Sequence, residues 1–507
     1  MYDIKEEEIQ KLRNLSSEQE TFSTVYEGCC RNKRVAIKVF KQNLSPEEQE
    51  VFLKEISLFG TISHPNICLF MGTLTNHFTI ITELMDMNLL QIFKEKEAVS
   101  LFTRIYLAKG VALGLNWLHD RVPKIIHGSL TPSNILVNRD YRAKISDFGL
   151  YKIKNQSVNL LQGDVDPGDL RWYAPEVLQG EEPTEKSDVY SFGLILWALL
   201  TNQIPYATAK TVFELKQLKC VLNQSPPMIE CCKSLLDLIT ECTSPSPTFR
   251  PPFKAMIVRL EIILIDIAIT DTVGNSFWRK HWRDKITVDW IEFMNAFAVE
   301  LHLLTNRTPI MTLYNSKSPV LEGTDIPVNI KCLKALLAEP ISPDVSTLVV
   351  SLELFGKAIG WFGPLESKDK GQKFLERVRC TLLSTWFHGS ITTRDSELAL
   401  HTQPVGTFLV RFSTSSTGAF AISKVAIRNN NKFIQHQRFM HDVAKDNYFI
   451  QKEDHVCNCY SSIVELIENE KVSLGLLHPC LGSPYSSILM TEDFKGYVNL
   501  NKIKSEN

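Results

Sequence analysis

The chain has 507 residues, 44% hydrophobic and 22% charged. At roughly 100–200 residues per domain this length calls for about three domains, and the composition excludes a disordered, collagen-like or membrane-embedded chain. Lys plus Arg total 55 and Asp plus Glu 57, a net charge of −2, so nothing draws the whole molecule to nucleic acid or anionic lipid and any anion site must be local. No apolar run approaches the ~18 residues of a membrane span. The nearest, Leu260 to Ile269, carries Glu261 and Asp266. The first residues, MYDIKEEEIQ, lack an apolar signal-peptide core. The twelve cysteines are scattered and are expected to be reduced thiols in a cytoplasmic protein. Cys231–Cys232 and Cys457–Cys459 have no second pair at ligand spacing, so no structural metal is expected.

In chain order, residues 10–265 begin with β-type alternation and pass into a Leu-rich helical pattern. Asp266–Ser276, DIAITDTVGNS, reads as a relaxed linker. Residues 277–385 read as helical, with aromatic anchors at Phe277, Trp278, Trp282, Trp290, Phe293, Trp361 and Phe362, interrupted by a Pro- and Ser-containing loop over Asn306–Val328. Residues 386–490 return to short β-like runs, FLVRFS, AFAISKV, KFIQHQRF and NYFI, with a helical turn at Ile463–Glu468. Residues 491–507 form a polar tail.

The first region carries an ordered series: VAIK at 35–38, Glu55 in FLKEI, HPNI at 64–67, NIL at 134–136, DFG at 147–149, APE at 174–176, DVYSFG at 188–193 and Arg250 in FRPPF. In that order the series resembles the protein-kinase fold, and HPNICLFMG with RWYAPEV resembles the tyrosine-kinase-like group. The resemblance implies that Lys38 faces nucleotide phosphates and is held by Glu55. It implies that Asp147 and Asn134 offer oxygen ligands to Mg²⁺, that Thr82 backs the nucleotide pocket with Glu83 opening the hinge, and that Glu176 and Arg250 form a structural ion pair.

The departures cluster at the chemistry. Where kinases read H-R-D-L-K-x-x-N, this chain reads HGSLTPSN at 127–134. Ser129 stands at the catalytic-base position, and a positioned base contributes about 10²–10⁴-fold. Gly128 replaces the Arg that clamps a phosphorylated activation loop, and Thr131 replaces the Lys beside the transferring phosphoryl group. The glycines of the phosphate-covering loop fall on Glu18, Glu20 and Ser23, where carboxylates replace backbone that approaches phosphate closely. Asp169 stands where kinases carry Thr or Ser. The pattern resembles a pseudokinase, with HGS close to the HGN form of Janus-kinase pseudokinase domains. Binding of ATP and Mg²⁺ stays open, through Lys38, Asn134 and Asp147.

In the middle region, FWRKHW at 277–282 and VDWIEF at 288–293 resemble the EF-hand-like part of Cbl-type phosphotyrosine-binding modules. SPDVSTLVVSLE at 342–353 is the corresponding ion-loop candidate, with Asp344, Ser346 and Glu353 as possible ligands. Ser342 stands where such a loop wants Asp, and Thr347 where it wants Gly, so a metal-free structural role is expected, orienting the region that follows.

WFHG at 386–389 followed by VGTFLVRFSTSSTGAFAISKV at 405–425 resembles an SH2 domain. The resemblance implies a phosphotyrosine pocket built on Arg411, whose planar fork matches two phosphate oxygens. Ser413, Thr414, Ser415 and Ser416 would supply hydroxyls and N–H groups, with His436 and Arg438 on the flanking strand. Thr393 falls where the early helix often supplies an Arg, and Gln437 where a bulky residue often shapes peptide choice. His388 and His455 read as packing or surface residues.

The expected fold class is multidomain α+β: a bilobal protein-kinase fold, a helical EF-hand-like linker domain, and an SH2 domain of antiparallel sheet flanked by two helices. The order resembles the SH2-containing protein kinases of amoebae. The expected function is signalling by binding tyrosine-phosphorylated proteins, with the kinase-like domain as scaffold or nucleotide switch. The alternative is an active or atypical Ser/Thr/Tyr kinase, with Asp120 or Asp140 standing in as base and protein substrates as partners. A third possibility is internal phosphotyrosine capture at Tyr151 or Tyr173.

Overall fold

The computed structural model describes residues 4–16, 23–40, 46–74, 78–94, 99–148, 166–227, 230–301, 326–341, 345–365, 372–413, 416, 418–450 and 458–488, a few of them as backbone only, Glu55 among these. The chain divides into two compact units, Met1–Leu264 and Ile265–Asn507. It is multidomain and α+β.

The first unit opens with a five-stranded antiparallel sheet of β1 (Ile9–Asn14), β2 (Ser23–Cys30), β3 (Lys33–Phe40), β4 (Phe70–Leu74) and β5 (Thr79–Glu83), in the order β1-β2-β3-β5-β4. Arg31 and Asn32 both take positive φ, 48° and 63°, giving the tight two-residue turn whose twist suits a β2–β3 hairpin. Val35 and Ile37 on β3 are fully buried. Alternation along the strand therefore turns Lys38 to the other face. Helix α1 (Pro46–Phe59) follows β3.

The helical part of this unit contains α2 (Leu89–Lys94), α3 (Leu101–His119), α4 (Pro175–Leu178), α5 (Glu185–Thr201), α6 (Val212–Lys216), α7 (Lys233–Cys242) and α8 (Phe253–Ala268), the last running across the division between the units. A three-stranded sheet joins β6 (Met87–Asn88), β7 (Ile135–Val137) and β8 (Ala143–Ile145). The Ser100 hydroxyl caps α3 by accepting from Thr103 N. Thr184 and Ser187 form a reciprocal capping box on α5, each side chain satisfying a backbone N–H that the helix leaves without a partner. Both helices are buried along most of their length, so packing rather than an amphipathic stripe holds them.

The second unit begins where the sequence suggests a relaxed linker, and that expectation is overturned. Residues 266–276 are the end of α8, a tight turn, and the first turn of α9 (Thr272–Trp282). The Asp271 carboxylate accepts from Gly274 N at 2.7 Å and starts the new helix. Two helix–strand–helix pieces follow: α9, β9 (Thr287–Asp289) and α10 (Trp290–Glu300), then α11 (Ile326–Leu337), β10 (Glu339–Pro340) with β11 (Leu348–Ser351), and α12 (Leu352–Phe362). β11 joins the two by pairing antiparallel with β9. Phe277, Trp278, Trp282, Trp290 and Phe293 are buried together with Phe355. Phe277 meets Phe293 and Phe355 edge-on, with centroids 5.9 Å apart in both cases.

After α13 (Gln372–Leu382) and α14 (Thr393–Leu400) comes a sheet of β12 (Thr407–Phe412), β13 (Phe420–Arg428), β14 (Asn431–Asp442), β15 (Asn447–Ile450) and β16 (His478–Pro479), in the order β15-β14-β13-β12-β16, with α15 (Ile463–Glu470). The helical part and this sheet share contacts. The Trp361 ring stacks on Phe412 at 3.6 Å, Tyr448 Oη donates to Trp361 O at 2.7 Å, and His441 Nδ1 donates to Gly360 O at 2.8 Å. The buried Arg377 donates to Gly363 O and Ser461 O, both at 2.5 Å. Gly418, at φ +75°, lies close enough to Gly360 that a Cβ on Gly418 would stand 3.2 Å from Gly360 O. Glycine suits both the conformation and the approach.

Among the described residues, no helix is long and apolar enough to cross a membrane, and the cysteines are free thiols.

Candidate functional site

The first unit gathers Lys38, Ser129, Asn134 and Asp147 through the loops around β7 and β8. Lys38 Nζ forms an ion pair with the Asp147 carboxylate, both side chains mostly buried. The side chain of Glu55 lies outside the described residues. Asp147 takes φ +61°, a conformation that Asp tolerates better than most residues. The next ring, Phe148, packs edge-on against Phe59 of α1 at 4.7 Å.

The loop before β7 is bolted down by backbone-directed bonds. The Asp188 carboxylate accepts from His127 N and Gly128 N, both at 2.9 Å, and from His119 Nε2 at 2.8 Å. His127 Nε2 donates to Ser146 O at 3.0 Å, and Ser146 N donates to Asn134 O at 2.9 Å. Gly128 takes φ +71°, which glycine adopts at no steric cost. Asn134 Nδ2 donates to Ser129 O at 2.9 Å.

The hydroxyls at the centre of this frame stand apart from it. Ser129 Oγ and Thr131 Oγ1 are both buried without a hydrogen-bond partner among the described residues. A buried donor or acceptor left unsatisfied costs about 1–3 kcal/mol. Among the described residues, no carboxylate therefore bonds Ser129 Oγ. Asp120 instead accepts from Asn116 Nδ2 at 2.8 Å at the end of α3, and Asp140 is exposed in the β7–β8 turn.

Thr82 and Glu83 end β5. Glu83 is tied to β8 through Lys144, whose Nζ lies 2.7 and 2.8 Å from its two carboxylate oxygens. Glu176 and Arg250 make a two-pronged buried pair at 2.5 and 2.9 Å. Tyr173 is buried, and burial pushes its hydroxyl pKa up, which removes it as an accessible tyrosine. Tyr151, Glu18 and Glu20 lie outside the described residues. Val25 N donates to Ser16 Oγ at 2.6 Å, joining the two ends of the segment that holds those glutamates.

Sequence reasoning gave no role to Lys219. It is buried, and its Nζ donates to Arg171 O at 2.8 Å and Tyr173 O at 2.6 Å, with the Tyr190 and Tyr206 rings about it. A lysine in an apolar-looking stretch carries no motif, so the sequence offered no signal for it.

In the second unit, register explains the pocket. Arg411 on β12 is opposite Ala421 on β13, which is opposite Arg438 on β14. Cross-strand partners share a sheet face, so the small Ala421 methyl leaves room between two guanidinium side chains. Ser423, two residues on, is opposite His436 and lies on the same face. Helix α14 covers this face. Thr393 Oγ1 accepts from Arg411 Nη2 at 2.8 Å, and Ser423 Oγ lies 2.9 Å from His436 Nδ1. Arg411 Nη1 donates to Phe412 O at 3.2 Å, while its Nε is buried without a partner among the described residues. Arg411 is only 4% exposed. Burial lowers its pKa and the charge of Glu397 opposes that shift. Ser413 N donates to Ala419 O at 2.9 Å and Ala419 N to Ser416 O at 3.3 Å, closing the turn above Arg411. Thr414 and Ser415 lie outside the described residues, as does His455. His388 is a packing residue, its Nε2 donating to Cys480 O at 3.0 Å.

Two family profiles match: protein tyrosine and serine/threonine kinase over residues 11–260, and SH2 domain over residues 386–469. The chain is 39% identical over 485 residues to the dual specificity protein kinase shkA of Dictyostelium discoideum, covering 94% of this chain and 90% of that one. The chain belongs to the family of protein kinases that carry an SH2 domain. A second member, the dual specificity protein kinase shkC of the same organism, is 36% identical over 88% of this chain and 86% of its own length. The kinase half alone is similar to the serine/threonine-protein kinase CTR1 of Arabidopsis thaliana, 34% identical over 46% of this chain and 29% of that one.

Proposed function

We propose that this protein docks on tyrosine-phosphorylated proteins through the Arg411 pocket, in the cytoplasm, while its kinase-fold half acts as a scaffold or nucleotide-responsive switch of little phosphotransfer power. One observation carries the docking reading. Arg411 is buried, its Nε without a partner among the described residues, on the sheet face that also holds Arg438. Such a guanidinium gains most from a ligand of about −1.5 to −2 charge. Ser413, Thr414, Ser415 and His436 complete the proposed pocket. The test is titration of the full chain with a phosphotyrosyl peptide, its unphosphorylated form and its phosphoseryl form. Binding confined to the phosphotyrosyl peptide is expected, and equal binding of all three contradicts the reading.

The switch reading rests on Ser129, whose hydroxyl cannot take up a substrate proton at neutral pH as a carboxylate does. Mg²⁺ and ATP fit the residues present. Asp147 and Asn134 offer hard oxygen donors, Lys38 offers a cation suited to phosphate, and Thr82 backs the pocket. Bound Mg²⁺ would supply charge neutralisation there. Lys38 and Asp147 pair with each other, so each keeps the other's charge in place when no nucleotide is held.

A second reading, an active dual-specificity kinase with protein substrates, is favoured by the names of the relatives and by the intact packing of Phe148 on Phe59. It requires a base other than Ser129.

The paired helix–strand–helix pieces are proposed to be EF-hand-like and metal-free, serving as a prop for the phosphotyrosine pocket. Glu353 is engaged with Lys357 at 2.8 Å, Ser346 is exposed, and Ser342 and Asp344 lie outside the described residues.

A further inference from the structure

The face that would receive a phosphate dianion already carries a carboxylate. Glu397 follows Thr393 by four residues on α14, so the two side chains share one side of the helix. Thr393 Oγ1 accepts from Arg411 Nη2 at 2.8 Å, and Glu397 Oε1 lies 3.2 Å from His436 Nε2. The other ring nitrogen of His436 faces Ser423 Oγ, which donates to Ser396 Oγ of α14 at 3.3 Å. The histidine is thus held between helix and sheet, with Glu397 at its outer end. The Glu397 side chain is 51% exposed, so it is not locked in a core pair, and its contact with His436 keeps it beside the pocket, where its charge favours the Arg411 cation.

We propose that Glu397 is a built-in electrostatic brake on the phosphotyrosine pocket, its carboxylate opposing the entering phosphate and holding affinity below what Arg411, His436 and Arg438 would otherwise give. This deepens the docking reading and rests on it. The reason is Coulombic. A ligand of about −1.5 to −2 charge must approach a side chain of the same sign, and at a half-exposed position that repulsion is reduced by salt. The brake therefore lowers affinity for phosphotyrosyl ligands alike, without altering the shape of the pocket.

The test is Glu397→Gln in the full chain, titrated with one phosphotyrosyl peptide at low and high salt. The substitution is isosteric, leaves a hydrogen-bonding group beside His436, and removes only the charge. Tighter binding by about threefold to tenfold at low ionic strength is expected, the gain shrinking towards none near 1 M salt. The same gain is expected in a His436→Asn background, because the charge acts on the phosphate and not through the histidine. Unchanged or weaker binding overturns the brake, as does a gain that persists at high salt or vanishes without His436. A wild-type chain that ignores the phosphotyrosyl peptide overturns the pocket assignment itself, and the brake with it. A wild type that binds while Glu397→Gln gains nothing overturns the brake alone.

Discussion

Around Ser129 and around Arg411 the chain builds two buried polar frames, and they differ in what stands at the centre. At Ser129 the frame is complete. Asp188 holds the backbone of His127 and Gly128, His127 and Asn134 hold Ser146, and Phe148 packs on Phe59. The side chain in the middle is a hydroxyl with no partner among the described residues. At Arg411 the frame is equally well made, by Thr393, the β13 register and the 413–419 turn, and the side chain in the middle is a cation. A fold can keep the supports of a site while the side chain at its centre changes, because supports bond backbone and packing while chemistry rests on one side chain. The proposed function follows the centre of each frame, not its surroundings.

The largest effect should come from removing the prop beneath the Arg411 frame. Trp361 stacks on Phe412, the neighbour of Arg411. Trp361→Ala should cost about 3–5 kcal/mol of stability and weaken phosphotyrosyl-peptide binding with it, read by denaturant unfolding and titration. A loss under about 1 kcal/mol would mean that the helical part does not support the pocket.

Arg411→Ala should cost about 2–5 kcal/mol of phosphopeptide affinity, bringing the phosphotyrosyl peptide down towards its unphosphorylated form. Affinity equal to wild type would place the phosphate elsewhere.

Acid should loosen the same unit through His441. Burial is the main cause that draws its pKa down to about 4 from an ordinary 6.5, against a hydrogen bond to Gly360 O that pulls the other way. A depressed histidine binds fewer protons folded than unfolded, so its contribution is present above about pH 6.5 and is lost as pH falls towards 4, up to about 3 kcal/mol. Thermal unfolding from pH 7.5 to 4.5 should show that loss, and His441→Asn, which keeps a donor for Gly360 O, should flatten it.

The smallest effect is at Thr393. Thr393→Val removes the acceptor for Arg411 Nη2 and should weaken phosphopeptide binding by about 1 kcal/mol, with Thr393→Ser restoring it. Failure of serine to restore binding would assign the loss to packing.

How much of this was legible in sequence depends on whether the signal is linear. Lys38, Asp147, Arg250 and Arg411 sit in short ordered motifs, and the period-two runs from Phe408 to Ile450 match strands β12 to β15. Aromatic anchors such as Phe277 and Phe293 were readable because helical spacing puts them on one face, and they are buried. The turn at Asp271 was not readable as a helix start, because capping depends on one carboxylate reaching one N–H. Glu397, Ser423 and Ala421 matter only through strand register and helix placement. Thr393 looked like the loss of an arginine and is a partner of Arg411.

The scaffold reading turns on whether Ser129 leaves the kinase-fold half without phosphotransfer. The measurement is incorporation from labelled ATP with Mg²⁺ or Mn²⁺, wild type against Lys38→Ala/Asp147→Ala, with thermal unfolding followed in the same samples. No incorporation above the double variant is expected, with a nucleotide-dependent rise in unfolding temperature in wild type alone. Incorporation by wild type that the double variant abolishes would contradict it, and would show that a group other than Ser129 takes the substrate's proton.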